Sequence, residues 1–163
     1  MARYILEQLL EKMSAGDMAA LARLMTLVER EGDVVGRILE AIGSQQGRAF
    51  TIGVTGPPGA GKSSLADGLT TLMRKAGKRV GIVAIDPSSP FSGGALLGDR
   101  IRMQSHSGDE GVYVRSMATH GHLGGLSNAT SDAVLILDAS GCDLVLIETV
   151  GVGQGEVDIA RTA

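Results

Sequence analysis

Nine residues, Gly56-Pro57-Pro58-Gly59-Ala60-Gly61-Lys62-Ser63-Ser64, constrain this chain more than any other stretch, because they satisfy G-x-x-x-x-G-K-[ST] at every position. Glycines let backbone N–H groups converge on a phosphate, and a helix opening directly afterwards adds the positive end of its dipole. In that reading Lys62 bridges the β- and γ-phosphates of a nucleotide, and the Ser63 hydroxyl ligates Mg2+. The surroundings meet the requirement: the β-rich run FTIGVT (50–55) precedes the motif and a helical pattern (63–76) follows it. The plain alternative is a glycine-rich turn that binds nothing.

Beyond the motif, short apolar runs alternate with helical patterns. RVGIVAI (79–85), GVYVRSM (111–117) and DLVLIE (143–148) read as strands; 96–105 and 127–139 read as helices. That alternation predicts an α/β fold with a parallel, doubly wound sheet covered on both faces. Four strands make a small sheet, either minimal or part of something longer. Residues 2–43 contain helical patterns alone. Ile5, Leu6, Leu9, Leu10 and Met13 share one face, with Glu7, Glu11 and Lys12 turned outward. Asp17 is placed to cap a second helix carrying Leu21, Leu24, Met25 and Val28, and Asp33 to cap a third through Ile42. The polar stretch 43–49 reads as a linker, dividing a helical arm (1–46) from a nucleotide domain (47–163).

Composition removes several classes. Aromatics are 2% of the 163 residues and Trp is absent, so a stacking platform for single-stranded nucleic acid is not expected. A net charge of −3 argues against nucleic acid or an anionic membrane as partner. The single cysteine, Cys142, allows no intrachain disulfide and reads as a small buried hydrophobe in a reducing compartment. The N-terminus carries acids unlike a signal peptide, and no apolar run reaches spanning length, so the expected location is the cytoplasm.

A nucleotide site of this kind needs an acid at a neighbouring strand end to help hold magnesium. Glu148 closes an apolar strand, and Gly151 follows three residues later, where its N–H can face a γ-phosphate. Asp86 closes RVGIVAI in the same manner, or simply opens the turn before Pro87. Asp99, Arg100 and Arg102 form either a solvated charged face or a set able to reach phosphate or metal. His120 and His122 are an H-x-H pair, too few ligands for a zinc shell without others and so more readily loop histidines; His106 has no assignment.

Taken together, GVTGPPGAGKSSL, VAIDPSSPFSGGALLGDRIRM, RSMATHGHLGGLS and IETVGVGQGEVDIA closely resemble, in order and spacing, the MeaB/ArgK family of P-loop GTPases, within the SIMIBI class, that are associated with methylmalonyl-CoA mutase. The resemblance covers most of residues 50–160, and the leading helices fit that family's N-terminal arm. It implies a GTP-hydrolysing chaperone that gates cobalamin loading into, and protection of, an adenosylcobalamin-dependent acyl-CoA mutase. Lys62 and Ser63 fall on the family's phosphate and magnesium contacts. Asp86, Asp99 and Glu148 fall on its magnesium-site acids, and Gly151 to Gln154 on its γ-phosphate-sensing switch. GTP or GDP with Mg2+ is the implied ligand.

Gly155 stands where the family pattern has Ser, and His120 where it has Arg. In the family, the guanine-reading N-K-x-D segment and the C-terminal helices used in homodimers lie beyond the last of these motifs. The chain therefore reads as an N-terminal portion, with guanine preference inherited by analogy. The implied chemistry is in-line attack of water on the γ-phosphate, helped by positioning and charge and without an evident general base. Three other readings stay open: a metal-delivering GTPase using His120 and His122, a small-molecule kinase, and an inactive nucleotide-binding fragment.

Overall fold

The computed structural model describes residues 2–30, 32–43, 47–86, 104–106, 108–118 and 128–149. Four strands, β1 (Phe50–Val54), β2 (Val80–Asp86), β3 (Val112–Ala118) and β4 (Leu144–Thr149), form one sheet in the order β1-β4-β2-β3. Every pairing is parallel. The last of the described strands thus lies between the first two, which places its C-terminal end beside the loop that leaves β1.

Side-chain alternation divides the sheet into two apolar faces. Val80, Ile82, Leu144 and Leu146 meet helix α4 (Lys62–Lys75) through Ala66, Leu69 and Met73. Val83, Ile85, Met117, Val145 and Ile147 meet helix α5 (Asn128–Ala139) and the helices of the arm. At Gly81 the sheet and α5 touch closely: a Cβ there would stand 2.9 Å from Cδ1 of Leu137.

The arm consists of α1 (Ala2–Ser14), α2 (Met18–Glu29) and α3 (Asp33–Ile42), and α2 and α3 pack against α5. Asp17 caps α2, its carboxylate accepting from the N–H groups of Ala19 (2.8 Å) and Ala20 (3.2 Å). Leu21, Leu24, Met25 and Val28 are no more than 2% exposed, and each such burial contributes about 1.5–3 kcal/mol. One polar tie fixes the segment that enters β1, and a second joins the arm to the sheet. The Asp138 carboxylate, near the end of α5, accepts the successive N–H groups of Gly47, Arg48 (3.1 Å) and Ala49 (2.7 Å). The Arg115 guanidinium on β3 pairs with Glu29 and reaches the Thr26 hydroxyl at 3.2 Å.

Two expectations change, and a third lies mostly outside the described residues. Ile5 is 52% exposed while its neighbour Leu6 is buried, because only the narrower stripe of α1 meets α2. Asp33 is the first residue of α3 rather than its cap; Gly32 holds that place and makes no side-chain hydrogen bond. Of the expected helix at 96–105, residues 96–103 lie outside the described set, and Gln104–His106 form a short 3-10 turn. No described helix is long and apolar enough to cross a membrane.

Candidate nucleotide site

The site stands where β1 ends. The chain leaves Val54, turns through Gly59 (φ 78°) and Gly61 (φ 83°), and enters α4 at Lys62. Both glycines occupy the left-handed region that a Cβ disfavours, which is the local reason for their place in the motif. The contrast with α2 is informative. Asp17 fills the end of α2 with its own carboxylate, whereas Gly61 makes no side-chain cap bond at the start of α4. No side chain therefore caps the leading N–H groups of α4.

Lys62 folds back over the loop, donating from Nζ to the carbonyls of Gly56 (2.8 Å) and Pro57 (2.9 Å). Residues 57–61 are exposed and Lys62 is half-buried, so the ammonium sits at the mouth rather than in the core. The Ser63 hydroxyl donates to Oε1 of Glu148 at 2.5 Å. Register explains the meeting: Glu148 pairs with Val54 on one side and Ala84 on the other, so it projects where β1 gives way to the loop. The hydroxyls of Thr149 and Thr55 lie 3.3 Å apart across the same two strand ends.

Glu148 is 6% exposed. A carboxylate so buried is costly without positive charge nearby, and the Lys62 ammonium is engaged with backbone carbonyls instead. A hydroxyl and a carboxylate held together in this way are the hard oxygen donors that suit Mg2+. Among the described residues no group of three or more His, Cys, Asp and Glu is placed to hold a metal. Asp86 ends β2 opposite Ala118, two residues beyond the partner of Glu148, on the strand next to β4.

Asp99, Gly151, Gln154, His120 and His122 lie outside the described residues. Cys142 is buried, with the Ser140 hydroxyl 3.6 Å from its sulfur, and burial pushes its thiol upward, away from the reactive thiolate. Sequence reasoning missed Asp67, Ser105 and Asp138. Each is an ordinary polar residue on or beside a helix, and its partner lies 38 or more residues away, so no local pattern marks it.

A parallel sheet whose first strand runs through a glycine-rich cradle into a helix, with an acid at the end of the adjoining strand, defines a P-loop NTPase. The comparisons agree. The family model described as methylmalonyl Co-A mutase-associated GTPase MeaB matches residues 21–163, and the chain belongs to that family. A relative in Pyrococcus abyssi is 58% identical over 159 residues, covering 98% of this chain and 49% of its own length. The Escherichia coli protein named GTPase ArgK is 40% identical over 160 residues, covering 96% of this chain and 48% of its own. The crystal structure of a protein named LAO/AO transport system kinase superposes with a TM-score of 0.75 at 31% identity, over 96% of this chain and 46% of that one. The chain thus spans about half the length of the curated relatives it matches.

Proposed function

We propose that this chain is the phosphate-binding portion of a GTPase that gates cobalamin loading and protection of an adenosylcobalamin-dependent acyl-CoA mutase of the methylmalonyl-CoA type. The family description, which couples GTPase to that mutase, supports the partner. The single observation that carries the chemistry is the Ser63 hydroxyl held on the buried Glu148 carboxylate beside the Lys62 loop.

In this reading the N–H groups of loop 56–63 and the start of α4 hold the β-phosphate, and Lys62 exchanges its two carbonyl partners for phosphate oxygens. Ser63 and Glu148, with Asp86 and Asp99, would hold Mg2+. Bound there, the ion supplies positive charge against the negative charge that grows as the γ-phosphate departs. Gly151 and Gln154, a few residues beyond Glu148, sense the γ-phosphate and pass its presence to the mutase. Residues 1–46 act as the helical arm of the nucleotide domain 47–163.

The test compares GTP and ATP hydrolysis, with and without an acyl-CoA mutase, for the wild type and Glu148→Gln. GTP is expected to be preferred and stimulated by the mutase. Glu148→Gln keeps the shape but removes the charge, and should lose Mg2+-dependent turnover while folding normally. Turnover of ATP only with an acceptor present would instead identify a kinase, and full activity of Glu148→Gln would refute the assigned metal site.

A further inference from the structure

Two threonines continue the register of β1 and β4 past the last rung of their ladder. That ladder closes with Val54 opposite Glu148, and Thr55 and Thr149 stand one position further on each side. The Thr149 hydroxyl donates to that of Thr55 at 3.3 Å, and Thr55 immediately precedes Gly56 of the phosphate loop. Alternation along β4 decides on which face each tie falls. Leu144 and Leu146 belong to the apolar cluster on the α4 side, and Glu148 follows them to meet Ser63. Val145 and Ile147 belong to the cluster on the α5 side, and Thr149 follows those. The end of β4 therefore grips the root of the phosphate loop from both faces of the sheet. The two strand ends are not equally supported. β4 lies between β1 and β2, and its pairing with β2 runs to Ile85 opposite Thr149. β1 is the outer strand of the described sheet, with β4 as its one described neighbour. A displacement of the loop relative to Glu148 thus falls on the β1 side, where Thr55 stands.

We infer that Thr149, through the Thr55 hydroxyl, is a positioning residue for the Ser63–Glu148 pair, holding the root of the phosphate loop at a fixed spacing from the end of β4. The inference rests on the function proposed above, in which Ser63 and Glu148 both give oxygens to Mg2+. In the free protein their own hydrogen bond keeps these two side chains together. Turning both oxygens to a cation gives that bond up, because hydroxyl and carboxylate then face the ion rather than each other. The Thr149–Thr55 bond lies on the opposite face and is untouched by the exchange. It keeps the strand ends together when the Ser63–Glu148 bond no longer does. The phosphate grip has no such need. Its N–H groups and Lys62 lie in one continuous stretch, 56–63, and the lysine finds its free-state partners within that stretch. Loss of the threonine pair is therefore felt where the metal bridges two strands, and not by the phosphates alone.

The experiment uses Thr149→Val, Thr149→Ser and Thr55→Val. Valine has the shape of threonine without the hydroxyl and is equally at home in a strand, so β4 survives the change. Calorimetry measures the affinity for a non-hydrolysable GTP analogue in Mg2+ and in EDTA, and the ratio of the two is the gain that the metal brings. In Thr149→Val this gain should fall about threefold, within the range of one cross-strand hydroxyl pair, with the affinity in EDTA unchanged. Thr149→Ser, which keeps the hydroxyl, should return the wild-type gain. In a Thr55→Val background Thr149→Val should cost nothing further, because the bond is already gone. Full additivity of the two valine variants overturns the inference. So does an equal loss in Mg2+ and in EDTA, which would make the pair a structural tie and nothing more. A wild-type gain that survives intact in Thr149→Val refutes this inference alone and leaves the proposed function standing. A wild type that binds the analogue in neither condition refutes the proposed function, and this inference with it.

Discussion

Lys62→Ala separates the two states that the geometry implies for this lysine. In the free protein its ammonium holds two carbonyls of its own loop, those of Gly56 and Pro57. Nucleotide binding replaces them with phosphate oxygens, so the affinity lost on mutation is a difference between two sets of bonds. Two charge-assisted bonds to phosphate contribute about 3–6 kcal/mol together, at roughly 1.5–3 each. Against this stand the two carbonyl bonds of the free protein, about 1 kcal/mol apiece at a half-exposed position. The difference is about 1–4 kcal/mol, roughly a fivefold to a thousandfold loss of affinity. Calorimetry with GDP, and with a non-hydrolysable GTP analogue in Mg2+, measures it directly. Urea unfolding of the free variant should lose no more than about 2 kcal/mol, the worth of the two carbonyl bonds, since the lysine adds nothing to either apolar cluster. Affinity equal to wild type would refute the placement of phosphate on this loop. A loss far above a thousandfold would refute the competition from the carbonyls.

Two further outcomes follow from packing and charge. Gly81→Ala puts a methyl 2.9 Å from Leu137 and should cost about 1–3 kcal/mol in urea unfolding, where Leu137→Ala alone costs about 2–5. The double variant should fall short of the sum by at least about 1 kcal/mol, and strict additivity would show that α5 does not sit on β2 as described. The Arg74 guanidinium holds the Asp109 carboxyl below the usual carboxylate range, and the Lys78 ammonium, with the Arg79 N–H, does the same for Asp143. A lowered folded-state pKa gives stability that is complete above the unfolded value, about 3.9, and lost as pH falls through the folded one. Unfolding midpoints should therefore drop between pH 5 and pH 3 by less in Asp109→Asn and Asp143→Asn than in wild type.

Much of this molecule is legible along the chain because the relevant physics is local. The glycines at 59 and 61 mark left-handed turns, Asp17 marks a helix start, and the runs at 80–85 and 144–148 are apolar on both sides because both faces of the sheet are covered. Periodicity also identified the stripe of α2 that is buried, since a helix can present only one face to a neighbour. The lysine and serine of the cradle were legible for the same reason: both lie within eight residues of the loop they serve.

What the chain alone did not reveal are the meetings between distant residues. The order β1-β4-β2-β3 sets Glu148 beside Ser63 across 85 positions, and only strand pairing decides it. The arm's helices were evident, but not that they would share a cluster with α5 and one face of the sheet. Asp138 beneath Gly47–Ala49, Arg115 against Glu29, and Asp67 under Ser105 and His106 are each an unremarkable polar residue in sequence. Read along the chain, local pattern was enough for which segments form strands and helices, which face of each is apolar, and where the glycine-rich turn between β1 and α4 falls. Tertiary structure decided which acid joins that cradle and what anchors the chain around it, because side-chain partnership depends on proximity in space, and local periodicity carries no information about a partner dozens of residues away.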